Sequence, residues 1–118
     1  MNNVVNLDKI RQDKVYESSV RFLKNTSAFY EIDYDFSLDR FRNLHNNLYD
    51  IYKYENKIYR YQEDVELFLK MTFFDAINSN KKSIKISDIL DGIFICKTND
   101  LEVKKVQIRG KELWKKRI

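Results

Sequence analysis

The stretch that decides the fold runs from residue 65 to residue 94. It reads VELFLKMTFFDAI, then NSNKK, then SIKISDILDGIF. The first part has apolar residues at helical spacing, and the polar NSNKK is typical of a turn. Ile84 and Ile86 indicate a short extended piece. Ser87 is a good N-cap residue and Asp88 suits a first turn, so a second helix is expected to follow.

The first of these helices is expected to run from about Gln62 to Ile77. Two apolar stripes follow its length. One contains Val65, Phe68, Leu69, Thr72, Phe73 and Ala76, and the other contains Leu67, Met71 and Phe74. A helix that is apolar on two sides is typical of a central, largely buried position. In the second helix, the buried face is expected to consist of Ile89, Leu90, Ile93 and Phe94.

The first part of the chain also indicates helices. Residues 7–25 predict one amphipathic helix or two short ones, with a break at 25–27. Residues 29–36 alternate partly between apolar and acidic types. An isolated strand would have no partner, so we expect an extended connection there. Ser37 is expected to cap a helix that carries Leu38, Phe41, Leu44, Leu48 and Ile51 at helical spacing.

Residues 52–61, rich in tyrosine and charge, predict a linker between two halves, 7–53 and 59–118. Both halves would belong to a single domain, 1–118, because a chain of this length commonly forms one domain. Near the end, Val103 and Val106 predict a short helix. A last helix is predicted by Ile108, Leu113, Trp114 and Ile118.

The composition indicates a folded helical protein. Hydrophobic residues make up 43% and aromatic residues 14% of the chain. There is no proline and there are two glycines, which favours helices joined by polar turns over a sheet-rich fold. The sequence has no glycine-rich phosphate loop, no apolar run near the roughly 20 residues of a membrane span, and no signal-peptide layout.

Several residues with reactive side chains have simpler explanations. The single cysteine, Cys96, excludes an internal disulfide, and we expect it to be a small buried residue and not a nucleophile. His45 follows Leu44 in the predicted helix, and we expect a surface or packed residue there and not a catalyst.

The acidic residues also have a structural explanation. Glu63, Asp64 and Glu66 lie in a predicted first turn, where they would stabilise the helix dipole. Asp88 and Asp91 lie one helical turn apart, but a metal site would need further oxygen ligands. We therefore expect no metal, no cofactor and no catalytic residue.

The order of residues 59–118 resembles one repeat of the Clp N-terminal domain, which precedes the AAA+ motors of Clp-type unfoldases. Ile89 and Leu90 match apolar positions of the family helix, Gly92 its small position, and Ile93–Phe94 its closing pair. Further on, residues 106–108 resemble the family's Leu-Gly-Val, and Leu113 follows Ile108 by five residues, as in the family.

The chain departs from the family pattern at several positions. Ser87–Asp88 stand where the family has Glu-His, Asp91 replaces a core leucine, and Gln107 replaces a glycine. Residues 14–51 would be a diverged first copy of the repeat, without a clear motif.

The resemblance implies an all-α fold of two pseudo-repeated, four-helix-type units packed together. It implies a non-catalytic domain that binds protein substrates or adaptor proteins for the ATPase modules of the same parent chain. The isolated domain would be a monomer, with no membrane or nucleic-acid partner. Its binding surface would include Tyr54, Lys57, Tyr59, Arg60 and Tyr61, which lie between the halves.

Heavy use of Asn, Lys, Ile and Tyr is typical of an AT-rich genome. With the resemblance, it favours the stroma of a plastid-type, apicoplast-like organelle, with a bacterial cytoplasm as the alternative.

An alternative reading is a small stand-alone phage or mobile-element protein that binds nucleic acid or a host protein. It would use the tyrosines and a basic C-terminal cluster, in which basic side chains can neutralise phosphates. The cluster contains Lys104, Lys105, Arg109, Lys111, Lys115, Lys116 and Arg117.

Overall fold

The structure is a computed structural model that describes residues 7–98. In chain order its elements are α1 (Leu7–Tyr30), β1 (Asp33–Tyr34), α2 (Leu38–Tyr54), a 3₁₀ turn (Ile58–Arg60), α3 (Tyr61–Asn78), β2 (Ser83–Ile84) and α4 (Ile86–Thr98). The described part is mostly helical, as the composition predicted. Within the described residues, the order helix, short strand, helix occurs twice, in α1–β1–α2 and in α3–β2–α4. The helices expected beyond residue 98 lie outside the described residues.

The two short strands pair in parallel and join the halves. Asp33 lies opposite Ser83, and Tyr34 lies opposite Ile84. The N–H of Asp33 donates to the carbonyl of Lys82 at 2.9 Å. The prediction of an unpaired extended connection at 29–36 is therefore wrong, because Asp33–Tyr34 forms a strand that has a partner. The partner lies 50 residues further along the chain, so no local pattern could indicate it.

The break expected at residues 25–27 is also wrong. Helix α1 continues through them to Tyr30 and ends where Glu31 takes a left-handed backbone, with φ of 55°. The carbonyl of Ser27 accepts the N–H of Ile32 at 3.0 Å, and the Ser27 hydroxyl donates to the carbonyl of Ile32. Ser27 thus stabilises the end of the helix and does not interrupt it.

Three helices end in the same way without glycine. A left-handed residue follows each of them: Glu31, Asn56 and Asn80. The next N–H then donates to the carbonyl five residues earlier: Ile32 to Ser27 (3.0 Å), Lys57 to Tyr52 (2.8 Å) and Lys81 to Ala76 (2.9 Å). This is the Schellman pattern, which satisfies carbonyls that a helix end would leave unpaired. It explains how the chain turns sharply with so few glycines.

The starts of α2 and α4 differ in their capping. The Ser37 hydroxyl oxygen accepts the N–H of Arg40 at 3.2 Å, which confirms the cap predicted for α2. The cap predicted at Ser87 is wrong, because α4 already begins at Ile86. Asp88 accepts the N–H of Lys85 at 2.9 Å through its Oδ2. A carboxylate at the third position of a helix can accept the N–H of the residue that precedes the helix. Asp88 therefore stabilises a helix start at Ile86.

Helix α3 lies at the centre of the core. Its predicted first stripe is buried along its whole length. In the second stripe, Leu67 and Met71 are half-buried at the edge of the core, and Phe74 is exposed. Leu90 was expected to be buried and is exposed. The other elements contribute Val15, Leu23, Ile32, Phe41, Leu44, Leu48, Ile84, Ile89 and Ile93 to the same core. The side chains of Phe94 and Cys96 lie outside the described set.

The left-handed backbone of Glu31 leads to a test of the fold. A side chain with a β-carbon costs roughly 1–2 kcal/mol in this conformation, and glycine avoids that cost. We expect Glu31→Gly to raise the free energy of unfolding by about 0.5–1 kcal/mol in urea denaturation, after the entropy that glycine adds to the unfolded chain. Asn80→Gly is the matched control and should change it by less than about 0.5 kcal/mol, because asparagine tolerates this conformation. A loss of stability in Glu31→Gly would contradict the assignment.

Candidate protein-binding surface

A buried pair of polar side chains fixes the junction between the halves. His45 of α2 is 1% exposed, and Tyr61, the first residue of α3, is fully buried. The Tyr61 hydroxyl donates to the carbonyl oxygen of His45 at 2.8 Å. It also contacts both ring nitrogens of His45, with Nε2 at 2.9 Å. A phenol has one proton, so once it donates to the carbonyl its oxygen can accept an N–H from a neutral imidazole.

Aromatic rings from three helices surround this pair. The rings of Tyr16, from α1, and Tyr61, from α3, both meet the His45 ring edge to face, with centroids 5.4 Å and 4.9 Å away. Tyr49 and Tyr52 of α2 meet the Tyr61 ring in the same manner, at 5.0 Å and 5.7 Å. Edge-to-face contacts of this kind add to the stability of burial itself. The first residue of α3 is thereby held against α2 from several sides.

The surroundings keep both polar side chains neutral. Burial, with a smaller contribution from the positive charge of Arg42, lowers the pKa of His45 from 6.5 to about 4. Burial also raises the pKa of Tyr61 far above its ordinary value, with smaller contributions from Tyr49 and Asp50. At neutral pH, an uncharged imidazole therefore faces an uncharged phenol. The pair lies in the core and acts as a structural clamp between the helices.

A charged group on the outside of the same region supports α2 against α1. Arg42 pairs with Asp13 at 2.5 Å, and its guanidinium lies 4.4 Å from the centre of the Tyr16 ring. Further along, Lys53 pairs with Asp8 at 3.2 Å, which places the end of α2 beside the start of α1. These half-exposed contacts orient the two helices and contribute little stability individually.

The predicted binding surface divides into exposed and buried members. Tyr54 is 92% exposed and Tyr59 is 75% exposed. Lys57 is exposed and Arg60 is half-buried, with its guanidinium 6.0 Å from the centre of the Tyr59 ring. Tyr61 is buried in the clamp and does not belong to this surface. We call Tyr54, Lys57, Tyr59 and Arg60 the tyrosine junction. Whether it binds a partner stays a prediction.

The expected linker at 52–61 is shorter in the structure than the sequence indicated. Helix α2 continues to Tyr54, and a 3₁₀ turn at Ile58–Arg60 leads directly into α3. Tyr52 is buried, and its hydroxyl donates to Asp64 Oδ2 at 2.6 Å. Asp64 lies in the first turn of α3, so this bond anchors that turn to α2. The tyrosine junction is therefore held by buried side chains on both sides.

Other candidate sites show structural contacts. Asp88 caps α4 and approaches Lys81 at 3.8 Å, while Asp91 is exposed. Within residues 7–98, no group of three or more metal-ligating side chains is close enough to hold an ion. Among the helices described, none has the length and apolarity to cross a membrane. The basic cluster from Lys104 to Arg117 lies outside the described residues.

Two exposed aromatic residues were missed in the sequence. Phe29 and Tyr30 were assigned to an extended connection, but they form the last two positions of α1 and point their rings towards each other, with centroids 4.9 Å apart. The available signal was the absence of glycine and proline before Glu31. The comparisons with known proteins add no further assignment: no family model, no curated protein and no solved structure matches this chain.

The neutral His45 makes stability depend on pH. Its pKa is lower in the folded protein than in the unfolded chain, so the unfolded state binds more protons between about pH 6.5 and pH 4. The stabilisation is complete above pH 6.5 and is lost as the pH falls towards 4, by roughly 3 kcal/mol in total. Urea denaturation at pH 7, 5.5 and 4.5 should show this decline in the wild type. His45→Gln should be less stable at pH 7 and should decline less over the same interval. Parallel declines in the two proteins would refute the role of His45.

The hydroxyl of Tyr61 is the second testable part of the clamp. Tyr61→Phe keeps the ring contacts but leaves the carbonyl of His45 buried without this donor. We expect the free energy of unfolding to fall by about 1–3 kcal/mol, measured by urea denaturation. Tyr59→Phe is the control and should change it by less than about 0.5 kcal/mol, because the Tyr59 ring is exposed. Equal effects in the two variants would contradict the clamp.

Proposed function

We propose that this chain is a non-catalytic binding domain of the Clp N-terminal kind. It binds an apolar segment of an unfolded protein substrate, or an adaptor protein, at the tyrosine junction. The bound protein is then passed to ATPase modules of the same parent chain. In this proposal the two halves are diverged copies of one helical repeat.

The repeated order of elements supports the proposal. In each half, a long helix ends at a left-handed residue, a two-residue strand follows, and a second helix begins: α1–β1–α2 and α3–β2–α4. The two strands, which would be equivalent elements of the two copies, pair with each other. The resemblance of residues 59–118 to a Clp repeat supplies the class of function for this arrangement.

The observation that carries the proposal is the exposure of Tyr54 and Tyr59 on a fixed frame. Buried Tyr52 and Tyr61 hold the chain on either side of them, so the backbone that carries the two exposed rings needs little further ordering on binding. Tyrosines with few rotatable bonds are favoured at interfaces for this reason, and each can bury a large apolar area. Lys57 and Arg60 add a polar rim that suits a protein partner.

Peptide binding tests this proposal. The probe is a fluorescein-labelled dodecapeptide of leucine, phenylalanine, serine and glycine with no net charge, titrated with the chain and followed by fluorescence anisotropy. We expect Tyr54→Ser/Tyr59→Ser to weaken binding by about tenfold or more, because two aromatic contacts are lost. Tyr30→Ser, a change of another exposed tyrosine, is the matched control and should bind like the wild type. The proposal fails if the wild type does not bind or if both variants lose affinity equally.

The distribution of charge favours nucleic-acid binding as a second candidate. Residues 99–118 contain seven basic and three acidic side chains, so this segment accounts for the whole formal charge of +4. Clustered basic side chains bind phosphates with strong salt dependence. In this reading the chain is a small stand-alone protein of a phage or mobile element.

Duplex DNA separates the two candidates. Salt-sensitive binding that is lost in Lys115→Ala/Lys116→Ala/Arg117→Ala, and retained in Tyr54→Ser/Tyr59→Ser, would establish the second candidate. Binding to the neutral peptide with no binding to DNA at 150 mM salt would exclude it.

A further inference from the structure

The end of α1 carries an exposed aromatic pair. Phe29 is 78% exposed and Tyr30 is 48% exposed, and their rings meet edge to face. The helix stops immediately afterwards, because the left-handed Glu31 and the bond from Ile32 to Ser27 close its last turn. The rings therefore stand on a regular helix with a fixed end. We call Phe29 and Tyr30 the α1 aromatic pair.

The surroundings of this pair are acidic. The segment from residue 29 to residue 39 contains four carboxylates and no basic residue. All four are exposed, and within residues 7–98 none of them belongs to an ion pair: Glu31, Asp33, Asp35 and Asp39. Asp33 lies in β1 and Asp35 directly follows it; because side chains of extended backbone alternate, both lie on the outer face, whereas Tyr34 between them is half-buried.

Two further features define the electrostatic surface. The last turn of α1 contains no basic residue, so nothing in that turn offsets the negative end of the helix dipole. On the neighbouring strand, Lys82 and Lys85 flank β2 and are exposed, and the register of the ladder places Lys85 beside Asp35. The four carboxylates follow the α1 aromatic pair directly along the chain, and the exposed lysines lie on the neighbouring strand. A cationic partner with a flat side chain complements the aromatic pair and these carboxylates.

We propose that the α1 aromatic pair docks an arginine-containing segment of a partner protein. A guanidinium can stack on an aromatic face and donate two parallel hydrogen bonds to a carboxylate, whereas an ammonium is compact and strongly hydrated. Phe29 and Tyr30 supply the rings, and Asp33 and Asp35 supply the carboxylates on the adjoining strand face. The bound segment is thus selected by charge and by stacking together.

This surface is separate from the tyrosine junction. The ion pair of Lys53 with Asp8 places the end of α2 at the start of α1, and the aromatic pair lies at the other end of the same helix. A helix of 24 residues spans roughly 36 Å. The inference therefore goes beyond the proposed function and does not rest on it.

Two labelled peptides test the proposal. Fluorescein-labelled decapeptides that alternate glycine with arginine, or glycine with lysine, are titrated with the full chain at 50 mM and 200 mM salt. We expect the arginine peptide to bind at least about threefold more tightly than the lysine peptide, because stacking adds to charge. Phe29→Ser should abolish this preference for arginine. Equal affinity for the two peptides, or no binding at 50 mM salt, would overturn the proposal.

Charge variants test the role of the strand face. Asp33→Asn/Asp35→Asn should weaken arginine-peptide binding by about three- to tenfold, because each exposed pair contributes little individually. The control, Glu17→Gln/Asp91→Asn, removes two exposed carboxylates elsewhere and should stay within about twofold of the wild type. An equal loss in the control would assign the binding to overall charge and reject the site.

Exchanging the variants between the two peptide-binding assays separates this proposal from the proposed function. Tyr54→Ser/Tyr59→Ser should leave arginine-peptide affinity unchanged, and Phe29→Ser should leave binding of the neutral apolar peptide unchanged. Loss of arginine-peptide binding in the tyrosine variant would show that the peptide binds at the tyrosine junction, and the site at α1 would then be rejected. Urea denaturation of every variant confirms that it is folded.

Discussion

The hydrogen bonds between Tyr61 and His45 constrain the rest of the structure. Tyr61 opens α3, the central helix, and its hydroxyl donates to the backbone of α2 from within the core. A buried phenol without a partner would cost about as much as the bond it lacks, so the start of α3 has one favourable position against α2. From that position, α3 packs against α1 and α4. The register of the helices therefore depends on a polar contact, while the free energy comes mainly from apolar burial.

The strand pair provides the second constraint, and it acts at the opposite end of α3. Two residues from each half make a short parallel ladder, which would be too small to persist alone. Its inner face carries Ile84, which is fully buried, and this connects the ladder to the core. The left-handed residues before each strand turn the chain towards the ladder. Backbone conformation and burial thus support each other at this end of the molecule.

The helices could be predicted from the sequence because their signals are local. The buried stripe of α3 and the cap at Ser37 follow from spacing and residue type within one or two turns, and both are confirmed. The strand at Asp33–Tyr34 could not be predicted, since its partner is distant in sequence and contributes only two residues. The predicted start of α4 was wrong because Ser87 and Asp88 can both accept a backbone N–H. The geometry of the preceding turn decides which of them does so, and in the structure it is Asp88.

The tyrosine-rich segment shows why the candidate surface could be predicted only in part. Tyr52, Tyr54, Tyr59 and Tyr61 are of one residue type and lie within ten positions, yet two are buried and two are exposed. In α2 the difference is helical phase, because a shift of two residues rotates a side chain by about 200° around the axis. Between the helices it depends on the turn after Asn56, whose left-handed backbone reverses the chain. Residue type therefore marks the segment, and the helix boundaries decide which rings anchor it and which remain available to a partner.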